Sequence, residues 1–435
     1  MSVTKQEQRE IVINVPVLAR VEGEGALDLT IKAGEISDLK LRIFEPPRYF
    51  EKFSEGRDYF EMPDLVARIC GICPVAYQMS TVHAMESILN IQITPWIRAM
   101  RRLLYCGEWI ESHNLHIHLL AAPDFLGYGS APELAKDHPD VVRRGVYLQE
   151  LGNQIIKMLG GRSVHPVGAR VGGFYQAPTA QQAKTLLQNL EAALPQVEKL
   201  VEWTASLKLP DNPQQFTCVS VKHPDEYPMN EGNLVSSAGL DIPISEYNNH
   251  FREFHVPHST ALHSLLDDKP YLLGPLARVN LNFDLLPEAV KTNLAKTAIQ
   301  FPSNNMFHSI VARAAEVHYA FLEAIRILRD YVPTDTPFIP VEKMRAGVGF
   351  GCTEAPRGML WHQWELDEQG RVTTTQIVPP TSQNQAQIEQ DLRFSLQQKG
   401  LDTEPDELRL YAETVVRNYD PCISCATHFL KLTIK

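Results

Sequence analysis

Four of the seven cysteines fall in two pairs of identical spacing, Cys70-Gly-Ile-Cys73 and Cys422-Ile-Ser-Cys425. An i, i+3 pair on a helical turn puts both sulfurs on one face. Two such pairs would make a four-thiolate site, which most often holds Zn²⁺ or an iron–sulfur cluster. A single Cys-x-x-Cys pair also reads as a thiol redox couple. Two features weigh against a structural zinc module. The pairs stand at opposite ends of the chain, whereas zinc modules gather their ligands locally. The flanks are unusual too: Arg68 precedes the first pair, and Asp420-Pro421 the second. Thiolates stay deprotonated beside positive charge or a metal, and a proline fixes the approach of the backbone. Cys106, Cys218 and Cys352 are scattered singly and are expected to be packing residues.

The residues around the pairs extend the pattern. Arg68-Ile-Cys-Gly-Ile-Cys-Pro74 and Asp420-Pro-Cys-Ile-Ser-Cys-Ala-Thr-His428 resemble the two metal-binding motifs of the large subunit of nickel–iron hydrogenases. Arg20-Val-Glu-Gly-Glu24 resembles that family's amino-terminal motif. Gly161-Arg-Ser-Val-His-Pro166, followed by Gly172 and Gly173, resembles its central motif. Glu354-Ala-Pro-Arg-Gly358 with His362, then Val378-Pro-Pro-Thr381, resembles its late motifs. The motifs keep the family's order from residue 20 to residue 428, and together they are specific where each alone is weak.

The resemblance implies that the four cysteines hold a Ni ion and an Fe that carries CO and CN⁻ ligands. Cys70 and Cys422 would be terminal on Ni, and Cys73 and Cys425 would bridge the two metals. Soft thiolates suit such a nickel ion. Arg357 would place its guanidinium over the open metal position, a planar group that lysine does not replace. The Pro356 backbone and Thr381 (or Ser382) would hydrogen-bond the cyanides. Glu22 would be the first proton carrier between Cys425 and the surface, a role that needs its pKa raised by burial; Glu24 would be an exposed neighbour. Glu51, in Pro46-Pro-Arg-Tyr-Phe-Glu51, and His428 would bind a buried Mg²⁺. An imidazole is an uncommon Mg²⁺ ligand, so that site rests on the resemblance alone.

Two positions depart from many family members. Tyr77 stands where they have histidine, and Ser112 where they have aspartate, so a fixed negative charge near Arg357 is expected to be missing. Tyr77, the Val-Glu-Gly-Glu run and the short chain resemble the cytosolic, bidirectional NAD(P)-coupled branch, sulfhydrogenases included. The implied activity is reversible H₂ ⇌ 2H⁺ + 2e⁻. The scattered cysteines offer no electron wire. Gly347-Val-Gly-Phe-Gly-Cys352 departs from the dinucleotide fingerprint and reads as a flexible loop ahead of the Arg357 motif. Electrons would leave through an Fe–S small subunit, then through flavin- and NAD(P)-binding and Fe–S electron-transfer subunits. Residues 429–435 resemble the extension that a nickel-dependent endopeptidase removes after maturation proteins insert the metals, here by a cut after His428. A metal-free, complex-I-like quinone-site subunit is one alternative, opposed by the four retained cysteines. A structural Zn²⁺ scaffold is another, separable by nickel and iron content.

Positioning these groups calls for an α-rich α+β chain, a long-helix core with a small amino-terminal antiparallel β lobe. Residues 26–32 and 39–43 alternate apolar and polar around Gly34, which reads as a hairpin. Helical spacing covers 64–89, then about 95–120 behind a Thr94-Pro95 start. It recurs at 180–203, 287–299, 305–331, 385–398 and 405–418. A short strand at 371–378 is expected to assist the β lobe. The division follows: β lobe 1–62, helical core 63–208, loop-rich insertion 209–285, helical core with the carboxy-terminal metal motif 286–428, and extension 429–435, all one integrated domain. At 435 residues the chain can bury a large core without disulfides. Its net charge of −11 argues against a nucleic-acid-gripping role. No run approaches a membrane span, the amino-terminal residues lack a secretory-signal pattern, and the cysteine usage fits a reducing cytoplasm.

Overall fold

The computed structural model describes residues 10–427. His428, with the cut and the magnesium role expected of it, and the 429–435 extension lie outside the described residues. The amino-terminal sheet follows from alternation. β1 (Glu10–Val15) buries every second residue, as a strand with one face on a core must. β2 (Gly25–Lys32) and β3 (Glu35–Ile43) complete an antiparallel sheet in the order β1-β2-β3. Ala33 and Gly34 make the β2–β3 turn with φ of 52° and 80°, which suits a two-residue hairpin.

The helical core comprises α1 (Pro74–Leu89), α2 (Pro95–Leu115), α3 (Pro139–Gly160), α4 (Ala180–Ala205), α5 (Pro275–Asn282) and α6 (Ser309–Arg329). Late in the chain come α7 (Pro380–Lys399) and α8 (Pro405–Asn418), whose buried faces pack with the amino-terminal sheet. Local chemistry sets several starts. Thr94 Oγ1 accepts the Ile97 N–H ahead of Pro95, and Thr179 with Gln182 forms a capping box for α4.

The single helical run expected over 64–89 is broken. A short helix, Met62–Val66, ends before the cysteines, and α1 begins at Pro74. The proline ring pushes Cys73 out of helical geometry (φ −116°, ψ 43°). Cys70 and Cys73 therefore sit on the loop entering α1 rather than on a helical turn. Past Leu115, α2 widens into a π-helical segment, His116–Ala121. Helix α3 has no counterpart in the sequence reading; glycines and charged residues dilute its stripe of Val141, Leu148, Leu151, Ile155 and Leu159.

The loop-rich stretch from 209 to 285 contains strands β4 (Val219–Lys222), β5 (Asn233–Ser236), β6 (Asp241–Ile242), β7 (Phe251–Phe254) and β8 (His263–Leu266), besides α5. The segment expected to be a flexible loop is the first two-thirds of β9 (Gly347–Ala355), which pairs with β10 (Gly358–Leu366). Its glycines mark close approach, not mobility. A Cβ at Gly351 would lie 1.9 Å from the Ser80 carbonyl oxygen, and one at Gly349 2.2 Å from that of Ala84, so only glycine lets β9 lie against α1. The strand expected at 371–378 is β11 (Val372–Val378). It joins β10 in the sheet β9-β10-β11, not the amino-terminal sheet, because it follows β10 directly in the chain and folds back to pair antiparallel with it.

Candidate metal centre

The two cysteine loops meet although they lie at opposite ends of the chain. Cys70, Cys73, Cys422 and Cys425 are each at most 4 % exposed, and their sulfurs all lie within 4.8 Å of one another. Cys70 and Cys422 sulfurs are 3.5 Å apart, Cys73 and Cys425 3.7 Å, and Cys422 and Cys425 2.8 Å. All seven cysteines are free thiols. The first loop turns around its own sulfur: Cys70 Sγ accepts the N–H groups of Ile72 (3.3 Å) and Cys73 (3.1 Å). The second begins at Asp420, whose backbone is left-handed (φ 54°), and ends in the 3-10 turn Ser424–Thr427.

The amino-terminal motif docks on this second loop. Ile423 N–H donates to the Glu22 carbonyl at 2.9 Å, and Glu22 and Cys422 form a parallel bridge. Gly23 (φ 88°) makes this fit possible, since a Cβ there would lie 2.7 Å from Ile423 Cβ and 2.9 Å from Ser424 N. The Glu22 carboxylate accepts from Cys422 Sγ (3.1 Å), from Ser424 N–H (3.1 Å) and from the Ser424 hydroxyl. Burial, then the charge at Cys70, raises its pKa. Glu24 is exposed, as expected.

Arg357 stands at the tip of the two-residue β9–β10 turn, Pro356-Arg357. Its Nε donates to the Asp420 carbonyl (2.7 Å) and its Nη2 to Asp420 Oδ1 (3.0 Å). The expected absence of a negative charge beside Arg357 is thus corrected: Ser112 is neutral and buried, and Asp420 supplies the carboxylate. Burial opposes the charge on Arg357, but Asp420 and the thiols of Cys422, Cys73 and Cys70 hold its pKa well above the usual range. Tyr77 is buried beside the cysteines; desolvation, then their charges, keeps its phenol neutral.

Thr381, at the start of α7, accepts the Cys422 N–H on Oγ1 at 2.9 Å. Ser382 donates its hydroxyl to the Pro379 carbonyl. The Pro356 carbonyl accepts from Arg278 (3.0 Å). Glu51 Oε1 accepts the Ile377 N–H at 2.7 Å, which sets it beside β11. His362 Nδ1 lies 3.1 Å from Thr81 Oγ1.

Two residues outside the sequence reading hold the site together. Arg48 donates through Nη2 to the Ile69 carbonyl (2.7 Å) and to the Ser424 carbonyl, which fastens one cysteine loop to the other. It lies inside the Pro46–Glu51 run, which was its only signal. Arg278 on α5 grips Glu316 with two bonds (2.7 and 2.8 Å) and Glu354 with one (2.9 Å). It also donates to the carbonyls of Ala355 and Pro356, fixing the hairpin tip that carries Arg357. Nothing in the spacing around Arg278 marked it.

The donor set fits a soft, multiply charged metal centre. Four buried thiols cannot all ionise without a cation. Burial opposes ionisation at Cys70, but hydrogen bonds from Cys422, Cys425 and Cys73 lower its pKa well below the usual thiol value; the bond to Cys425, then those to Cys70 and Cys73, push Cys422 up. Two buried polar atoms at the rim, Arg357 Nη1 and Asp420 Oδ2, have no hydrogen-bond partner. The geometry defines a buried four-thiol cradle, of the kind that holds a metal ion, close to a guanidinium charge.

The model of the family described as nickel-dependent hydrogenase matches residues 48–140 and 246–428, and the chain belongs to that family as a large subunit. Sulfhydrogenase 1 subunit alpha of Pyrococcus furiosus is 33 % identical over 424 residues, covering 97 % of this chain and 98 % of that one. NAD-reducing hydrogenase HoxS subunit beta of Cupriavidus necator is 28 % identical, covering 97 % and 95 %. The solved structure of an NAD⁺-reducing [NiFe]-hydrogenase in the H₂-reduced state superposes with a TM-score of 0.84 at 26 % identity, covering 97 % and 100 %. The expected α-rich fold is that of these large subunits. The relatives are subunits of larger enzymes. Among the described residues, no helix is long and apolar enough to cross a membrane.

Proposed function

We propose that this chain is the catalytic subunit of a cytoplasmic enzyme that interconverts H₂ with protons and electrons. It exchanges the electrons with NAD(P) through an Fe–S small subunit and further flavin and Fe–S subunits. The observation that carries this reading is the convergence of four buried sulfurs from both ends of the chain beside Arg357. The NAD-reducing hydrogenases among the relatives and solved structures support the electron partner.

Cys70 and Cys422 would hold Ni, and Cys73 and Cys425 would hold Ni together with an Fe that carries CO and CN⁻ ligands. When bound, the two metals supply the redox chemistry of H₂ cleavage and formation. The chain supplies the rest. Arg357, oriented by Asp420, keeps a fixed positive charge against the thiolates. Thr381 still has its hydroxyl hydrogen to offer a cyanide nitrogen, because its oxygen is the acceptor for Cys422 N–H. Ser382 has spent its hydrogen on Pro379. Pro356 has no N–H, so its backbone can only accept; Thr381 is the better donor of the three. Glu22 takes the proton from the Cys422–Cys425 pair through Cys422 Sγ and passes it toward the surface. Glu51 and His428 bind Mg²⁺, and cleavage after His428 follows metal insertion by maturation proteins.

Infrared spectra of anaerobically purified, carboxy-terminally processed enzyme test the reading. Expected are metal-bound CO and CN⁻ stretches that shift under H₂, with one nickel per large subunit and iron in excess of nickel from the Fe–S partners. Their absence from processed, metal-replete protein overturns it.

A further inference from the structure

Among the described residues, a second set of metal-ligating groups comes from different elements: His258, His263 and Glu389, whose ligand atoms all lie within 4.8 Å of one another. His258 lies in the β7–β8 connection, His263 opens β8, and Glu389 is midway along α7. We propose that these three side chains form a site for a divalent transition metal of the zinc class, distinct from the cysteine centre, which clamps the β7–β8 hairpin to α7 beside β3.

His263 carries the argument. It is 2 % exposed, and neither ring nitrogen has a hydrogen-bond partner. Burial of an unpaired polar group is costly, so an imidazole whose Nδ1 has no partner and whose Nε2 has only a long ion-pair contact calls for an explanation. Its Nε2 lies 3.7 Å from Glu389 Oε2. That is too long for a hydrogen bond, but close to the ~3.3 Å between two ligands that each sit ~2.0 Å from one tetrahedral ion. His258 Nε2 is hydrogen-bonded to the same carboxylate, 2.8 Å from Oε1, a bond that an ion seated between the two groups would replace. The Leu41 N–H of β3 donates to Oε1 at 2.9 Å. This bond orients the carboxylate and leaves Oε2 toward His263, as partners of a metal-binding carboxylate do.

The donor set selects the ion. Two imidazoles and one carboxylate form a common Zn²⁺ ligand set, with a fourth position for water. Mg²⁺ and Ca²⁺ prefer all-oxygen sets. His258 and Glu389 are each about one-fifth exposed (20 % and 21 %), so an ion has a way in. Glu389 lies eight residues beyond Thr381 on α7, about 12 Å along a helix. An ion there would brace the helix whose first turn holds Cys422.

The test uses the intact enzyme with its partner subunits, equilibrated with about 10 μM free Zn²⁺ and then gel-filtered. Zinc and nickel are counted by mass spectrometry in wild type, His258→Gln and Glu389→Gln. One zinc per large subunit above the variants' level, with nickel unchanged, is the expected result, along with a Zn²⁺-dependent rise in the wild-type unfolding midpoint. Equal zinc in wild type and variants overturns the proposal. Should a variant lose nickel as well, the wild-type midpoint decides: a rise supports the site, and no rise with no retained zinc overturns it.

Discussion

At the scale of single residues, Cys422 is the hub. Its sulfur touches Cys70, Cys425 and Glu22, and its N–H is held by Thr381. Replacing Cys425 with serine removes one soft ligand of four, and we expect nickel content to fall to background by elemental analysis. Glu22→Gln keeps the shape and the acceptor oxygen but cannot carry a proton. We expect normal nickel and iron, with H₂/D₂O exchange slowed about 10²–10⁴-fold, the range for a lost acid–base group; exchange at the wild-type rate would remove Glu22 from the relay. Asp420→Ala leaves the buried Arg357 without its carboxylate, which typically costs about 3–5 kcal/mol. Chemical denaturation should show that loss, with Asp420→Asn in between. The cysteines, Glu22 and Arg357 were legible because each sits in a motif of fixed spacing. The partnership of Arg357 with Asp420 was not, because it is made across space by a left-handed turn that neither local pattern encodes.

At the scale of elements, glycine was the signal most easily misread. Gly347, Gly349 and Gly351 read as a loop because their run departs from the dinucleotide fingerprint it starts to resemble. Two of them are instead where β9 runs hard against α1. Gly351→Ala should therefore destabilise the protein by at least about 1–3 kcal/mol, as overpacking does, while Gly347→Ala, whose Cβ would meet only Ile88 Cγ2 at 3.5 Å, should stay close to wild type. Thermal midpoints of the pair check this, and equal midpoints would mean that β9 does not seat on α1 as described. Long, well-patterned helices such as α4, α6 and α8 were readable from apolar spacing and caps. The buried helix α5 was not: it is short, and its main contribution is Arg278, a charge satisfied by Glu316 and Glu354 from distant segments.

At the scale of the whole molecule, the centre joins the chain's two ends. The first cysteine loop, the second loop and the Glu22 segment meet through Arg48, the Glu22 carboxylate and a few backbone bonds. An ion held by all four thiols would close a loop of most of the chain, and its binding energy would add to folding at that seam. Without the ion, neighbouring buried thiols oppose one another's ionisation, and the seam loses its strongest tie. The helices α2, α4 and α6 bury their apolar faces in the same large cluster that takes in the four cysteines, but most of that cluster is helix packed on helix, away from the sulfurs. Metal-free protein, made without nickel or as Cys425→Ser, should then show amide hydrogen exchange accelerated at least about tenfold at Ile423 and Ser424, the amides that Glu22 accepts, with α2 and α6 as protected as before. Uniform acceleration would mean that the metal stabilises the whole fold cooperatively. Unchanged protection at the seam would mean that the chain assembles the four-sulfur cradle unaided, and the metal would then be fitted into a finished site rather than helping to close it.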